Sequence, residues 1–210
     1  ALSKKALQRK KELLGEEDPQ IAACHMAMGT LYESMGKAEE ALQCYEAAEA
    51  LRSTIADGRN TAYADTLTAI GKLYEGQEAY DEAERFVRKA LEVRKSCGDE
   101  KSGMYLWCLH LLAEIERRQE DFDAAVGHCR QAAELGLMEE AAGNLEEAEE
   151  VFTTTAEIRK EMLDEDNPLY LGTLEALARV FVKQEAYEKA IELYQEKNDL
   201  NFAEISLRNS

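Results

Sequence analysis

The side chains best suited to chemistry in this chain are three cysteine–histidine pairs: Cys24-His25, Cys108 with His110, and His128-Cys129. A thiolate and an imidazole together are a zinc-type donor set. Yet there is no Cys-x-x-Cys anywhere, and five cysteines at irregular spacing do not describe a ligand cage or a disulfide framework. Carboxylates are abundant, as in Glu39-Glu40, Glu146-Glu147 and Glu149-Glu150. General acid–base work needs such a pair in a concave pocket with shifted pKa values, and these runs have the spacing of solvated helix faces. Gly71-Lys72 lacks the preceding glycine and the following Ser or Thr of a phosphate loop, and no Gly-x-Ser-x-Gly nucleophile elbow occurs. No catalytic, cofactor or metal site is expected.

The elements that would position these residues follow a clock. A hexapeptide ending in alanine recurs as Gly36-Lys37-Ala38-Glu39-Glu40-Ala41, Glu78-Ala79-Tyr80-Asp81-Glu82-Ala83, Glu120-Asp121-Phe122-Asp123-Ala124-Ala125, Gly143-Asn144-Leu145-Glu146-Glu147-Ala148 and Glu185-Ala186-Tyr187-Glu188-Lys189-Ala190. The alanines are 42, 42, 23 and 42 residues apart. Twelve residues before each stands a small residue: Gly29, Gly71, Ala113, Gly136 and Ala178. Four residues after stand Tyr45, Val87, Cys129, Phe152 and Tyr194. Large side chains facing small ones at helical spacing imply two closely packed helices per repeat. The hexapeptide is the turn between them and the start of the second, with acids where the helix dipole favours them. Cys129 thus occupies a core slot, and His25 stands where Leu67, Leu109 and Leu174 stand in other repeats. A buried thiol and a half-buried imidazole are the expectation for both.

Gly29-Thr30-Leu31-Tyr32 and Gly71-Lys72-Leu73-Tyr74, each followed by the turn and an acidic helix start, resemble the tetratricopeptide repeat. The 42-residue period is longer than the usual 34 and is similar to the kinesin-light-chain type. There, a Gly-x-Asp-x-Pro loop separates repeats. Gly15-Glu16-Glu17-Asp18-Pro19 and Asp164-Glu165-Asp166-Asn167-Pro168 match it, and Asp57-Gly58-Arg59-Asn60 and Gly98-Asp99-Glu100-Lys101 are degenerate forms. The resemblance implies an all-α, right-handed solenoid of antiparallel helix pairs over residues 1–195. It comprises the second helix of a leading repeat at 4–14, repeats at about 20–56, 60–96 and 102–134, a truncated one at 135–163 and another at 169–195; residues 196–210 form a tail or cap.

In this family the first helices line a concave groove. The implied groove residues are Met26, Thr30 and Glu33; Thr68, Lys72 and Glu75; Trp107, His110, Glu114, Arg117 and Arg118; then Glu175, Arg179 and Lys183. The Lys, Asn and Arg set that clamps chaperone tails is not found. The consecutive asparagines with which kinesin light chains grip peptides are replaced by Met26-Ala27, Thr68-Ala69, His110-Leu111 and Glu175-Ala176. Trp107, the only tryptophan, is either a contact hot spot or packing between first helices, and both readings stand.

The interval of 23 is 42 minus 19. Either residues 122–142 form one continuous helix, or about 19 residues near 130–135 are absent from the sequence given. Omission is preferred, because successive helices of a solenoid run antiparallel and a continuous one would be collinear and split the array. The chain also begins mid-repeat, as a piece of a longer protein would.

With 43 acids against 25 bases the formal charge is −18, which disfavours nucleic acid and favours basic partners. Residues 139–166 hold eleven acids and two bases, half of that net charge. A solvated helix face explains them most simply; a patch at Glu146, Glu147, Glu149 and Glu150 that steers a basic partner is the alternative. No apolar run approaches a membrane span and no leader is recognisable. The expectation is a cytoplasmic, non-catalytic scaffold binding other proteins, with no cofactor, small-molecule substrate, nucleic acid or membrane insertion. A subunit of a large cytoskeletal or ciliary (axonemal) assembly is the first choice; a motor adaptor for cargo peptides and a bacterial or regulatory scaffold are the alternatives.

Overall fold

The computed structural model describes residues 2–208, with side chains at 5, 7–55 and 58–197. It contains helices throughout, and no strand occurs among the described residues. The chain divides into two compact units, Ala1–Glu100 and Lys101–Ser210. The first holds α1 (Leu2–Leu14), α2 (Pro19–Ser34), α3 (Ala38–Ser53), a 3-10 turn (Ile55–Gly58), α4 (Thr61–Glu75) and α5 (Tyr80–Ser96). The second holds α6 (Gly103–Arg118), α7 (Phe122–Ala142), α8 (Leu145–Met162), α9 (Pro168–Lys183) and α10 (Tyr187–Arg208). Among the described residues no helix is long and apolar enough to cross a membrane.

The recurring hexapeptide is a helix stop followed at once by a helix start. Its first residue is left-handed in all five copies: Gly36 at φ 70°, Glu78 at 60°, Glu120 at 64°, Gly143 at 86° and Glu185 at 63°. The next amide then reaches back five residues, Lys37 to Tyr32 O, Ala79 to Tyr74 O, Asp121 to Glu116 O, Asn144 to Glu139 O and Ala186 to Phe181 O, all at 2.9–3.0 Å. That is the Schellman closure, which satisfies carbonyls the helix end would otherwise strand. Acids then fill the first turn of the new helix, among them Glu39, Glu40, Asp81 and Glu82.

The small positions are where the two helices of a pair touch. A Cβ added to Gly71 would lie 2.6 Å from Val87 Cγ2, and one on Gly136 would lie 2.9 Å from Val151 Cγ1 and 3.0 Å from Phe152 Cζ. On Gly29 it would overlap the Tyr45 ring. Around these contacts Ala41, Tyr45, Ile70 and Leu73 cluster in the first unit. In the second, Ala113, Ala125, Cys129 and Ile158 form one cluster. Ala148, Phe152, Leu177 and Val180 belong to another. The position ten residues before the alanine is less uniform: Leu73, Ile115 and Val180 are buried, but Leu31 and Met138 are about half exposed.

The short interval appears as a single 21-residue helix, α7. It begins like a second helix, with Asp121 Oδ1 accepting from the Ala124 amide, and ends like a first helix, at left-handed Gly143. The preference for an omitted loop assumed that collinear halves would split the array at this point. They do not, because α8 turns back along the whole of α7. Its start packs Phe152 and Val151 on Gly136, while its end sets Ile158 beside Cys129 and Ala125. One helix thereby serves as the second member of one pair and the first of the next. Met138 is exposed for the same reason: the preceding second helix that would cover this position is α7 itself.

Candidate interaction surface

Within the first unit, the expected groove residues sit on α2 and α4. Met26 and Glu33 are half-buried and Thr30 is exposed. The Tyr45 hydroxyl donates to Glu33 Oε2 at 2.7 Å and lies 3.4 Å from Thr30 Oγ1, tying α3 to this face. Burial, with the Glu33 carboxylate beside it, pushes the Tyr45 phenol up to about 12. On α4, Lys72 is exposed and Glu75 half-buried. Thr68 departs from the expectation, being only 1% exposed. Its hydroxyl donates to Ala64 O at 2.7 Å, one turn back in its own helix, so it enters the interior with its polar group satisfied.

In the second unit, Trp107 is 36% exposed on α6, while His110, one turn on, is buried. His110 Nε2 and Thr155 Oγ1 of α8 share a hydrogen bond of 3.1 Å, and burial pulls the imidazole down to about 4, so it is neutral at neutral pH. Glu114, Arg117 and Arg118 form a closed cluster. Glu114 accepts from Arg117 at 2.8 and 2.6 Å and from Arg118 at 2.8 Å. Arg117 also pairs with Glu161 of α8 at 3.0 Å. Burial opposes ionisation of Glu114, but the two guanidinium groups outweigh it and hold the carboxyl below its ordinary value.

On α9, Glu175 is exposed and paired with Lys197 of α10. Arg179 and Lys183 both turn onto Glu140 of α7: Arg179 donates to both carboxylate oxygens at 3.1 and 3.0 Å, and Lys183 Nζ lies 3.0 Å away. Glu140 is only 7% exposed, and the Arg179 hydrogen bonds hold its carboxyl below the ordinary range against the effect of burial. Of the acidic stretch, Glu146, Glu147 and Glu150 are exposed; half-buried Glu149 accepts from Gln184 Nε2 at 2.9 Å.

The cysteine–histidine pairs do not converge. Cys129 is fully buried and burial pushes its thiol up to about 11, whereas His128 Nδ1 lies 2.7 Å from buried Glu116. His25 is half-buried, as its repeat position implies. Among the described residues no group of three or more His, Cys, Asp or Glu side chains is placed to hold a metal.

The sequence reading missed a set of clamps that keeps the same clock. Arg52, Arg94 and Arg159 each stand eleven residues after the hexapeptide alanine. Arg52 Nη1 donates to Ala62 O and Thr66 Oγ1, both at 2.8 Å; Arg159 Nη1 donates to Leu169 O and Thr173 Oγ1 in the same way. Each fastens the end of a second helix to the first turns of the next first helix. Arg94, 2% exposed, instead pairs with Asp65 and Asp99. On α7 the equivalent residue is Gly136, because there the helix continues instead of meeting a new one. Spacings of 42 and 65 residues, the latter being 42 plus 23, could have exposed these arginines.

The tetratricopeptide repeat profile matches residues 1–54, 35–96, 62–136 and 129–196. Comparison with curated protein sequences gives no match. Among solved structures, BtubC (BKLC) from P. vanneervenii is similar with a TM-score of 0.54 and 15% identity, over 96% of this chain and 89% of that one. The apo form of RapI has a TM-score of 0.50 and 13% identity, over 94% and 59%. A kinesin light chain structure with nearly identical TPR-like repeats, from Podosopora anserina, has a TM-score of 0.49 and 17% identity, over 88% and 96%. The first two of these likenesses agree on an all-α repeat fold. Stacked tetratricopeptide hairpins make protein–protein interaction scaffolds, typically without catalysis, and this chain belongs to the tetratricopeptide repeat family.

Proposed function

We propose that the chain is a non-catalytic scaffold subunit that holds proteins together in a large cytoskeletal or ciliary (axonemal) assembly. The observation that carries the scaffold reading is how its polar groups are used. Glu114 is closed by Arg117 and Arg118, Glu140 by Arg179 and Lys183, and His110 by Thr155. These residues brace helices against one another and do not converge on a substrate. The surface left exposed includes Met104, Trp107, Glu146, Glu147 and Glu150, with Lys72 on α4. The choice of assembly rests on the likeness of the 42-residue repeat to the kinesin-light-chain type.

Crosslinking mass spectrometry on the endogenous protein tests this reading. Crosslinks from the groove lysines Lys72 and Lys183 to cytoskeletal or ciliary subunits are expected. Recovery of kinesin heavy chain and cargo adaptors would replace the assembly subunit by a motor adaptor. Recovery of the chain without protein partners would end the scaffold reading.

A further inference from the structure

A cavity lies between α6 and α8 beside the continuous helix α7. The helices α6 and α8 meet through His110 and Thr155 and through Arg117 and Glu161, in the middle and C-terminal half of α6. Towards their N-termini the space between them, over the C-terminal half of α7, is a cavity of about 740 Å³. That is within the range of ordinary ligand pockets. Its apolar wall is Met104, Trp107, Leu135 and Val151. Its acidic side is Glu147 and Glu150 of α8, joined by Glu139 of α7. Lys101 is the only lysine or arginine on its lining, and His110 at its base is neutral.

We infer that this cavity docks a basic amphipathic segment of a partner protein, seating apolar side chains against Met104 and Leu135 and a lysine or arginine between Trp107 and Glu147–Glu150. Two features select that occupant. An aromatic wall facing carboxylates attracts a cation by both the ring quadrupole and the charge. Met104 and Leu135 keep open apolar surface beside the Trp107 ring, and covering it repays only a ligand that brings its own apolar surface. The α8 side of the lining lies in the most acidic part of the chain, which raises the local concentration of basic segments. This inference deepens the scaffold reading and rests on it, naming the chemistry of one partner contact.

Trp107 is the only tryptophan, so its emission reports this cavity alone. The intact chain is titrated with an amphipathic peptide of leucine and lysine, with counterparts carrying glutamate or glutamine in place of lysine, and with spermine. The lysine peptide is expected to shift the emission saturably. In the Glu147→Lys, Glu150→Lys double variant, binding weakens about tenfold or more. Helical circular dichroism is expected to be unchanged in that variant, and Glu82→Lys, on α5, serves as a control that leaves binding unchanged. An equal response to the glutamate peptide, undiminished binding to the double variant, or lysine-peptide binding seen by calorimetry with no change in emission would overturn the cavity. Spermine binding as tightly as the peptide would overturn the protein segment as its occupant. None of these failures would remove crosslinks to endogenous partners, so the scaffold reading stands or falls separately.

Discussion

The three glutamates that open a hexapeptide carry a conformation that suits glycine. Glu78, Glu120 and Glu185 hold φ near +60°, where a Cβ crowds the backbone, while Gly36 and Gly143 do the same work without that cost. Glu78→Gly and Glu120→Gly are each expected to raise the unfolding free energy by about 0.5–1 kcal/mol in urea melts. Gly71→Ala should act oppositely, since its methyl would meet Val87 at 2.6 Å; a loss of about 1–3 kcal/mol is expected by the same measurement. His110 gives the pH dependence its sign. Its imidazole drops from an ordinary 6.5 to about 4 on folding, so the unfolded chain takes up the proton first. Its contribution is complete above about 6.5 and is lost as the pH falls towards about 4. His110→Asn should flatten that part of a stability–pH profile; an unchanged slope would mean that the ring is not buried as described.

Among the elements, α7 is the one on which the second unit depends. It packs against α6, α8 and α9, the last through Glu140 with Arg179 and Lys183. A proline at exposed Gln131 would remove a mid-helix hydrogen bond and clash with the preceding turn, costing about 3 kcal/mol or more. Gln131→Pro is therefore expected to lower amide protection through residues 103–162 in hydrogen exchange while residues 19–96 keep theirs. Full protection would mean that the helix is interrupted there. Glu140→Gln tests the link to α9. Its two cations are nearly half exposed, so the loss expected in urea melts is about 1–2 kcal/mol, less than for a fully buried pair. Element boundaries were legible beforehand because the hexapeptide contains both a helix stop and a helix start. The continuity of α7 is the less favoured of the two alternatives the sequence offers, and no Pro or Gly-rich stretch stands at residues 130–135 to decide between them.

For the molecule as a whole, charge is the property with a kinetic consequence. Half of the −18 lies in residues 139–166, on and around α8. If that region steers a basic partner, Glu146→Lys with Glu150→Lys should slow association and weaken its dependence on salt in stopped-flow measurements. An unchanged on-rate would reduce the region to a solvated face. Within each unit the organisation is one of neighbours: a helix packs chiefly on those beside it in the chain. Stability in such a chain is close to a sum of local pairings, so damage in one unit should stay in it.

What the residues determined alone is whatever repeats. Period, pair packing, the turn and the core slot at Cys129 depend on local sequence at fixed spacing. What only the tertiary structure decided is where copies differ. Thr68 is buried although its slot was placed in the groove, because its hydroxyl finds a partner one turn back. Arg117, Arg179 and Lys183 read as surface cations free to meet a partner, but acids from other helices close on them. Those acids, Glu161 and Glu140, are distant in sequence and brought near by folding. The cavity beside Trp107 belongs to the same class. Its walls come from three helices whose approach no spacing within any one of them encodes.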